Sequence, residues 1–389
     1  MKRLIRTAIF LSVVIFTALQ AYPQFNSRVG FDMRPSYAFS SFRDDVLQAT
    51  MDMDQAKTTR FAGSLHLKYG FTFSPDSKEG RFYPGVWQGL GAGVNFFGNH
   101  KGLGTPISIY LFQGAPVWEI EKNLSLYYEW NFGLSAGWKP SDGVTALSNL
   151  IVGSRMNAYI NLGAGLLWKL DSHYSLTAGL EVTHFSNGNT SFPNPGVNLA
   201  GLRIGVTRTF GDEPYKPVKT FQEDTLKRKK FGVDVTLYGA WRKRVYRGGD
   251  EPVLLRGHFM VAGIDINPMW NLSRLFRVGP SLDVQWDEST DLKRNYAQGS
   301  TTGDIYFYRP NPWRQICWGL SARGELVMPL FSVNIGIGYN PFGPMESRAT
   351  YQMANLKVRI FKGFYVNIGY QLLDFQKQNN LMLGLGYSI

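Results

Sequence analysis

From Leu124 onward the chain alternates between apolar and mostly polar or small residues over a run far longer than an ordinary strand. Leu124, Leu126, Tyr128, Trp130, Phe132, Leu134, Ala136 and Trp138 occupy the even positions, opposite Ser125, Glu129, Asn131, Gly133, Ser135 and Lys139. Successive side chains of a strand point to opposite faces, so such a run has one greasy and one wet face. The pattern returns from Met156 to Leu170, and again where Phe331, Val333, Ile335, Ile337 and Tyr339 oppose Ser332, Asn334, Gly336 and Gly338. A soluble sandwich also alternates, but its strands average ~5–6 residues. These runs are about twice that, enough to cross a bilayer with a tilt. The expected fold class is all-β, a transmembrane antiparallel β-barrel with apolar residues toward lipid and polar or small ones toward the lumen.

The beginning of the chain fits export. Lys2, Arg3 and Arg6 precede an apolar core from Ala8 to Ala18 and a small residue, Ala21, which together read as a signal peptide over residues 1–21. Mature protein is then expected from Tyr22, in the outer membrane of a Gram-negative bacterium. Cys317 is the single cysteine and cannot close an intrachain disulfide. Beyond the signal no apolar run reaches the ~18 residues of a membrane helix. Aromatic residues at 15% and 42 glycines suit strands and turns. The formal charge of +12 is dispersed and accompanies no recognition motif, which together with export argues against nucleic acid. Acidic lipid headgroups and lipopolysaccharide phosphates are chemically reasonable partners, while a set of cations that merely solvates loops explains the charge equally well.

About eight periodic runs lie between Arg28 and Phe210. Their connections alternate in length: Glu121 to Asn123 and Asp171 to His173 are tight, Pro140 to Arg155 and Gly188 to Asn198 long. Short periplasmic turns and long external loops produce that asymmetry, and with a periplasmic N-terminus the seventh strand runs outward to end near His184. Residues 211–230 are polar and aperiodic and read as a periplasmic linker. About eight further runs follow, and Gly179-Leu180-Glu181-Val182 lies without gaps over Gly369-Tyr370-Gln371-Leu372. The expected organisation is a barrel domain over 22–210, the linker over 211–230 and a second, repeat-like barrel half over 231–389. A single barrel of about sixteen strands is the alternative, disfavoured by the length of the linker.

Of five histidines, His66, His100, His173 and His258 show no convincing neighbouring nucleophile or metal-ligand partner in the sequence. His184 opens the run His184-Phe185-Ser186-Asn187-Gly188, followed by Pro193-Asn194-Pro195-Gly196-Val197-Asn198. On the seventh strand Leu176, Ala178, Leu180 and Val182 share parity with His184 and Ser186, so both polar side chains are expected outside the barrel, about 6–7 Å apart along the strand. That placement serves no pore; it serves a lipid substrate lying against the wall. A hydroxyl is a weak nucleophile until a base takes its proton, and an imidazole is the usual base. His184 is then the base, Ser186 the nucleophile, and Asn187 with the backbone amides around Gly188 the oxyanion donors. His-x-Ser alone is common by chance, and Asn-Gly and Pro-Gly are ordinary turn formers.

The motif His184-x-Ser186-Asn187, with Pro193-Asn194-x-Gly196 at matching spacing in the last hairpin of an eight-stranded unit, resembles the lipid A 3-O-deacylases of the PagL type and the acyloxyacyl hydrolases. The resemblance covers roughly residues 25 to 210. It implies a small outer-membrane barrel with an external Ser/His site: an esterase without metal or cofactor that removes the 3-O acyl chain from lipid A of lipopolysaccharide. It assigns Ser186 as nucleophile, His184 as base and Asn187 to the oxyanion site. The family's acidic triad member falls on Asn198, which carries no charge. Three readings stay open: the acid is absent, comes from elsewhere, or is replaced by Asn198. Glu181 is a poor substitute, since its parity directs it to the lumen. In the second half the corresponding positions are Asp374 and Gln376, which form no activated nucleophile, so that half is expected to be catalytically silent. The competing functions are a non-catalytic channel or structural barrel, and an outer-membrane phospholipase.

Overall fold

The computed structural model describes residues 25–39, 60–74, 77–98, 100–140, 151–211, 230–246, 253–255, 257–273, 275–290, 296–298, 305–307, 310–344, 347–375 and 377–389. The residues read as a signal peptide, nearly all of those read as the 211–230 linker, and Gln376 lie outside the described residues.

Eight long antiparallel strands form the first half: β1 (Phe25–Phe39), β2 (Phe61–Phe73), β3 (Trp87–Phe97), β4 (Gly104–Glu121), β5 (Leu124–Trp138), β6 (Met156–Lys169), β7 (Tyr174–Ser186) and β8 (Val197–Thr209). Each pairs with the next, and β1 pairs with β8, so the sheet closes on itself. The second half holds β9 (Phe231–Arg242), the ribbon β10 (Val245–Tyr246) and β11 (Val253–Leu254), β12 (Phe259–Asn271), β13 (Phe276–Asp287), the ribbon β14 (Tyr296–Gln298) and β15 (Ile305–Phe307), β16 (Ile316–Val327), β17 (Phe331–Phe342), β18 (Thr350–Phe361), β19 (Phe364–Leu373) and β20 (Lys377–Ser388). Here β9, β12, β13 and β16 to β20 close a second barrel through the β9–β20 pair. The sixteen-stranded alternative is thereby overturned: the edge strands of each half satisfy one another, and closure leaves no unpaired edge for a larger ring.

Burial is inverted relative to a soluble protein. On β1 and β2, Phe31, Met33, Leu65 and Leu67 are exposed, while the intervening Asp32, Arg34, His66 and Lys68 are buried. Leu237, Ile335, Ile337 and Leu385 are likewise exposed in the second barrel, where Asp234, Asn334 and Lys357 are buried. An apolar outside and a charged inside are stable only if the outside meets lipid.

An eight-stranded barrel is just wide enough for its inward side chains to fill. In the first lumen Arg34 donates to Asp32 at 2.7 Å and lies 3.4 Å from Glu181. Lys68 bridges Asp32 at 2.9 Å and Glu129 at 3.1 Å, and Arg203 bridges Glu129 at 2.7 Å and Glu181 at 2.9 Å. The second lumen repeats the device, with Lys357 between Asp234 at 2.8 Å and Glu325 at 2.7 Å. Side chains that occupy the cross-section in this way make a plug rather than an aqueous pore. A buried charge is tolerated because its partner is present, and deleting one partner strands the other. Arg203→Met leaves Glu129 and Glu181 undercompensated and is expected to destabilise the first barrel by about 3–5 kcal/mol, read as a lower urea midpoint of unfolding.

Two details depart from strict alternation. Gly137 has φ +102°, and the residue after it is turned over: Trp138, even-numbered and expected on the lipid face, is buried. Its ring packs 5.2 Å from Phe97 and 5.0 Å from Phe185, and its indole N–H donates to Ser135 Oγ at 2.8 Å. The second concerns the internal repeat. Glu181 and Gln371 are both buried as the overlay requires, but β19 ends at Leu373, and Asp374 and Phe375 have φ of 51° and 59°. Strand parity therefore does not reach Asp374, which sits in a tight turn where β7 is still extended at His184.

Candidate active site

β7 runs through His184 to Ser186, and its exposed Leu180 and Val182 place the even positions on the outer face. Between the two polar residues Phe185 points inward and is 2% exposed, packed against Trp138 and, at 5.4 Å, Tyr159. That anchor holds the pleat at the strand's end, where fraying would otherwise scramble the faces. His184 and Ser186 are both half-buried.

β7 and β8 pair in a register that sets His184 directly opposite Asn198. Opposed residues of an antiparallel pair share a face with Cβ atoms ≈ 4.5–5.5 Å apart, so Asn198 also faces outward, above the exposed Leu202 and Ile204 of β8. The imidazole Nδ1 lies 2.7 Å from Asn198 Oδ1. An amide oxygen accepts, so Nδ1 carries the proton in this pair and Nε2 keeps its lone pair, the tautomer a general base requires. Glu181, one residue from Val182 and on the opposite face, is buried against Arg203, as its parity demands.

The hairpin after β7 is tied by its own side chains. Asn194 Oδ1 accepts from the Asn187 backbone N–H at 2.9 Å, Asn187 Oδ1 accepts from Ser191 N–H at 3.3 Å, and Thr190 Oγ1 donates to the Asn187 carbonyl at 2.8 Å. Gly188 and Gly196, near the two ends of the connection, have φ of +62° and +81°, left-handed conformations that turn the chain out of β7 and back into β8. From the preceding long connection Gly153 comes so close that a Cβ on it would meet the Phe192 carbonyl carbon at 2.4 Å. The backbone amide of Asn187, offered as an oxyanion donor by the sequence, is thus committed to Asn194. Its side-chain Nδ2 has no hydrogen-bond partner among the described residues. Asn194 is a positioning residue the sequence reasoning left without a role, although Asn between two prolines was the visible signal.

The structure brings His184 and Asn198 together and sets Ser186 on the same face two residues along. Among the described residues Ser186 Oγ and His184 Nε2 are not hydrogen-bonded to each other. Catalytic hydrogen bonds commonly tighten only once substrate is bound. Two of the histidines set aside by sequence do have hydroxyl partners. His66 Nε2 lies 2.8 Å from Ser64 Oγ and its Nδ1 2.9 Å from Tyr110 Oη, but this group is enclosed in the lumen. His173 Nδ1 lies 2.8 Å from Ser172 Oγ in an exposed turn at the other end of β7.

Residues 46–207 match the family model "Lipid A 3-O-deacylase (PagL)", and residues 231–389 match "Acyloxyacyl hydrolase, C-terminal domain". All the site residues above fall within the first match. Among solved structures the chain is similar to the outer membrane enzyme PagL, at 16% identity over 45% of this chain and 97% of that one with a TM-score of 0.31. It is also similar to Neisserial surface protein A, at 11% identity over 48% of this chain and 97% of that one with a TM-score of 0.32. No curated protein sequence matches.

Proposed function

Since the chain belongs to the lipid A 3-O-deacylase (PagL) and acyloxyacyl hydrolase family of outer-membrane β-barrels, which its two halves match in turn, we propose that it is a serine esterase removing the 3-O acyl chain from lipid A in the outer leaflet. The observation that carries this reading is the His184–Asn198 pair, held at 2.7 Å on the lipid-facing side of the barrel beside Ser186. An ester at headgroup depth would meet those groups without entering the lumen.

Ser186 Oγ attacks the ester carbonyl as His184 Nε2 takes the hydroxyl proton, and charge gathers on the carbonyl oxygen. Asn187 Nδ2, buried and without a hydrogen-bond partner among the described residues, is the donor that a small opening of the hairpin would turn to that oxyanion. Collapse breaks the bond to the sugar oxygen, which takes the proton from His184 and leaves with the sugar, while the acyl group stays on Ser186. Water, deprotonated by the same Nε2, then releases the fatty acid and restores the hydroxyl. Asn198 is a positioning residue throughout: it fixes the tautomer and stabilises the imidazolium through a neutral oxygen.

Purified protein in micelles with lipid A, or with glycerophospholipid, tests the substrate. Mass spectrometry should register loss of one ester-linked 3-O chain from lipid A and little change in phospholipid; the reverse preference makes the protein a phospholipase. The third member is tested by substitution. Asn198→Ala removes a hydrogen bond to a group that becomes charged, about 1.5–3 kcal/mol, and should slow single-turnover deacylation roughly 10–100-fold with the barrel still folded. Asn198→Asp supplies a charge-assisted bond about twice as strong and should raise the rate about tenfold. Unchanged rates in both variants would reduce Asn198 to a hairpin residue.

A further inference from the structure

Among the described residues the first barrel's lumen is one negative charge short. Four cations, Arg28, Arg34, Lys68 and Arg203, face three carboxylates, Asp32, Glu129 and Glu181. Lys169, half-buried at the same end as Arg28, has Glu119 near it and does not change the balance. The odd cation is Arg28. It has no hydrogen-bond or ion-pair partner among the described residues, and its Nε is wholly buried. Glu129 cannot serve it directly, because its oxygens already accept from Lys68, Arg203 and the Trp87 indole N–H at 2.9 Å.

Arg28 nevertheless occupies a built position. Its guanidinium carbon lies 4.8 Å from the centre of the Trp87 ring, which holds the planar group in place without using its N–H donors. Beside it is a cavity whose polar lining includes Lys68, Glu129, Thr177 and Thr207 as well as Arg28 and Trp87. Gly30 keeps that space open: a Cβ there would come within 3.0 Å of Thr207 Oγ1 and 3.4 Å of Lys68 Cε. The room suits a body of about the size of a water molecule or a halide. Arg28 and the two threonines each have a donor to turn toward it, while the Glu129 oxygens on its wall are already filled by Lys68, Arg203 and Trp87.

We infer that this cavity binds a small monovalent anion, chloride in size and charge, which completes the ion-pair network of the lumen. The site is remote from His184. Phe39 of β1 pairs with Asn198, and Arg28 precedes Phe39 by a distance on the order of 35 Å along the strand, so the anion is a structural ligand and stands or falls independently of the esterase reading.

Crystals of the full-length protein grown or soaked in bromide should show an anomalous peak within contact distance of Arg28 Nε, Thr177 and Thr207. A peak on the surface alone, or none, overturns the inference. In solution, chloride should raise the thermal midpoint of the wild type by about 2–4 °C over gluconate at equal ionic strength, since a ligand that binds only the folded state stabilises it. Arg28→Met should abolish that difference, and Arg28→Lys should keep part of it. Identical wild-type midpoints in the two salts, or an undiminished chloride effect in Arg28→Met, would contradict the site.

Discussion

Ser186→Ala is expected to lower deacylation by about 10⁴–10⁶-fold while leaving the barrel folded. The magnitude follows from the role: without the hydroxyl no acyl-enzyme forms, and in a serine hydrolase loss of the nucleophile removes nearly all catalysis, a residue of rate surviving from the oxyanion site and binding. The barrel is indifferent to the change because the Ser186 side chain makes no hydrogen bond with any described residue and lies at the last position of β7. The matched substitution in the other half is Asp374→Ala, which should leave hydrolysis nearly intact. Asp374 stands in a left-handed turn after β19 rather than on an extended outer face, and no serine accompanies it. Equal losses from the two substitutions would overturn the assignment. The readout is single-turnover release of fatty acid, with folding checked by the unfolding midpoint.

His184→Ala should cost as much, and the double variant should be no slower than either single one. Members of a catalytic unit act on one proton transfer, so their deletions do not add. Additive losses would mean that His184 and Ser186 contribute separately, for instance as two binding groups. The substitution also separates the lipid-facing site from the lumenal His66–Ser64 pair. His66→Ala disturbs a buried network held by Tyr110 and Ser64 and should lower stability with little effect on the per-molecule rate of the folded fraction.

Much of this arrangement was readable from residues alone, and the failures have physical causes. Period-2 alternation placed the lipid face of β6 and β7 correctly because each residue there keeps an extended conformation. It failed at Trp138, where the left-handed Gly137 inverts the faces, and at Asp374, where the chain has already left the strand. Arg34, Glu181 and Arg203 stood on the wet face of their strands in the sequence, yet which cation meets which carboxylate depends on neighbours that register and closure bring together from distant strands. The same holds at the site. That Asn198 lies opposite His184 follows from the hairpin between them, whose closure by Asn194 onto the Asn187 N–H is not encoded in any spacing rule. Ser64 and His66 stand two residues apart on the same face of β2, but it takes the rotamers of both side chains to join them. The aromatic anchor of Phe185 escaped for a related reason: Trp138 reaches it only through the turned-over glycine.

The central claim is that an activated Ser186 on the outer wall of the first barrel cleaves lipid A. It is tested most directly by mass spectrometry of lipid A from cells producing the wild-type protein or Ser186→Ala at equal abundance in the outer membrane. The account predicts a lipid A species lacking one 3-O acyl chain with the wild type and its absence with the variant. Identical lipid A from the two strains, with both proteins folded in the membrane, would contradict it.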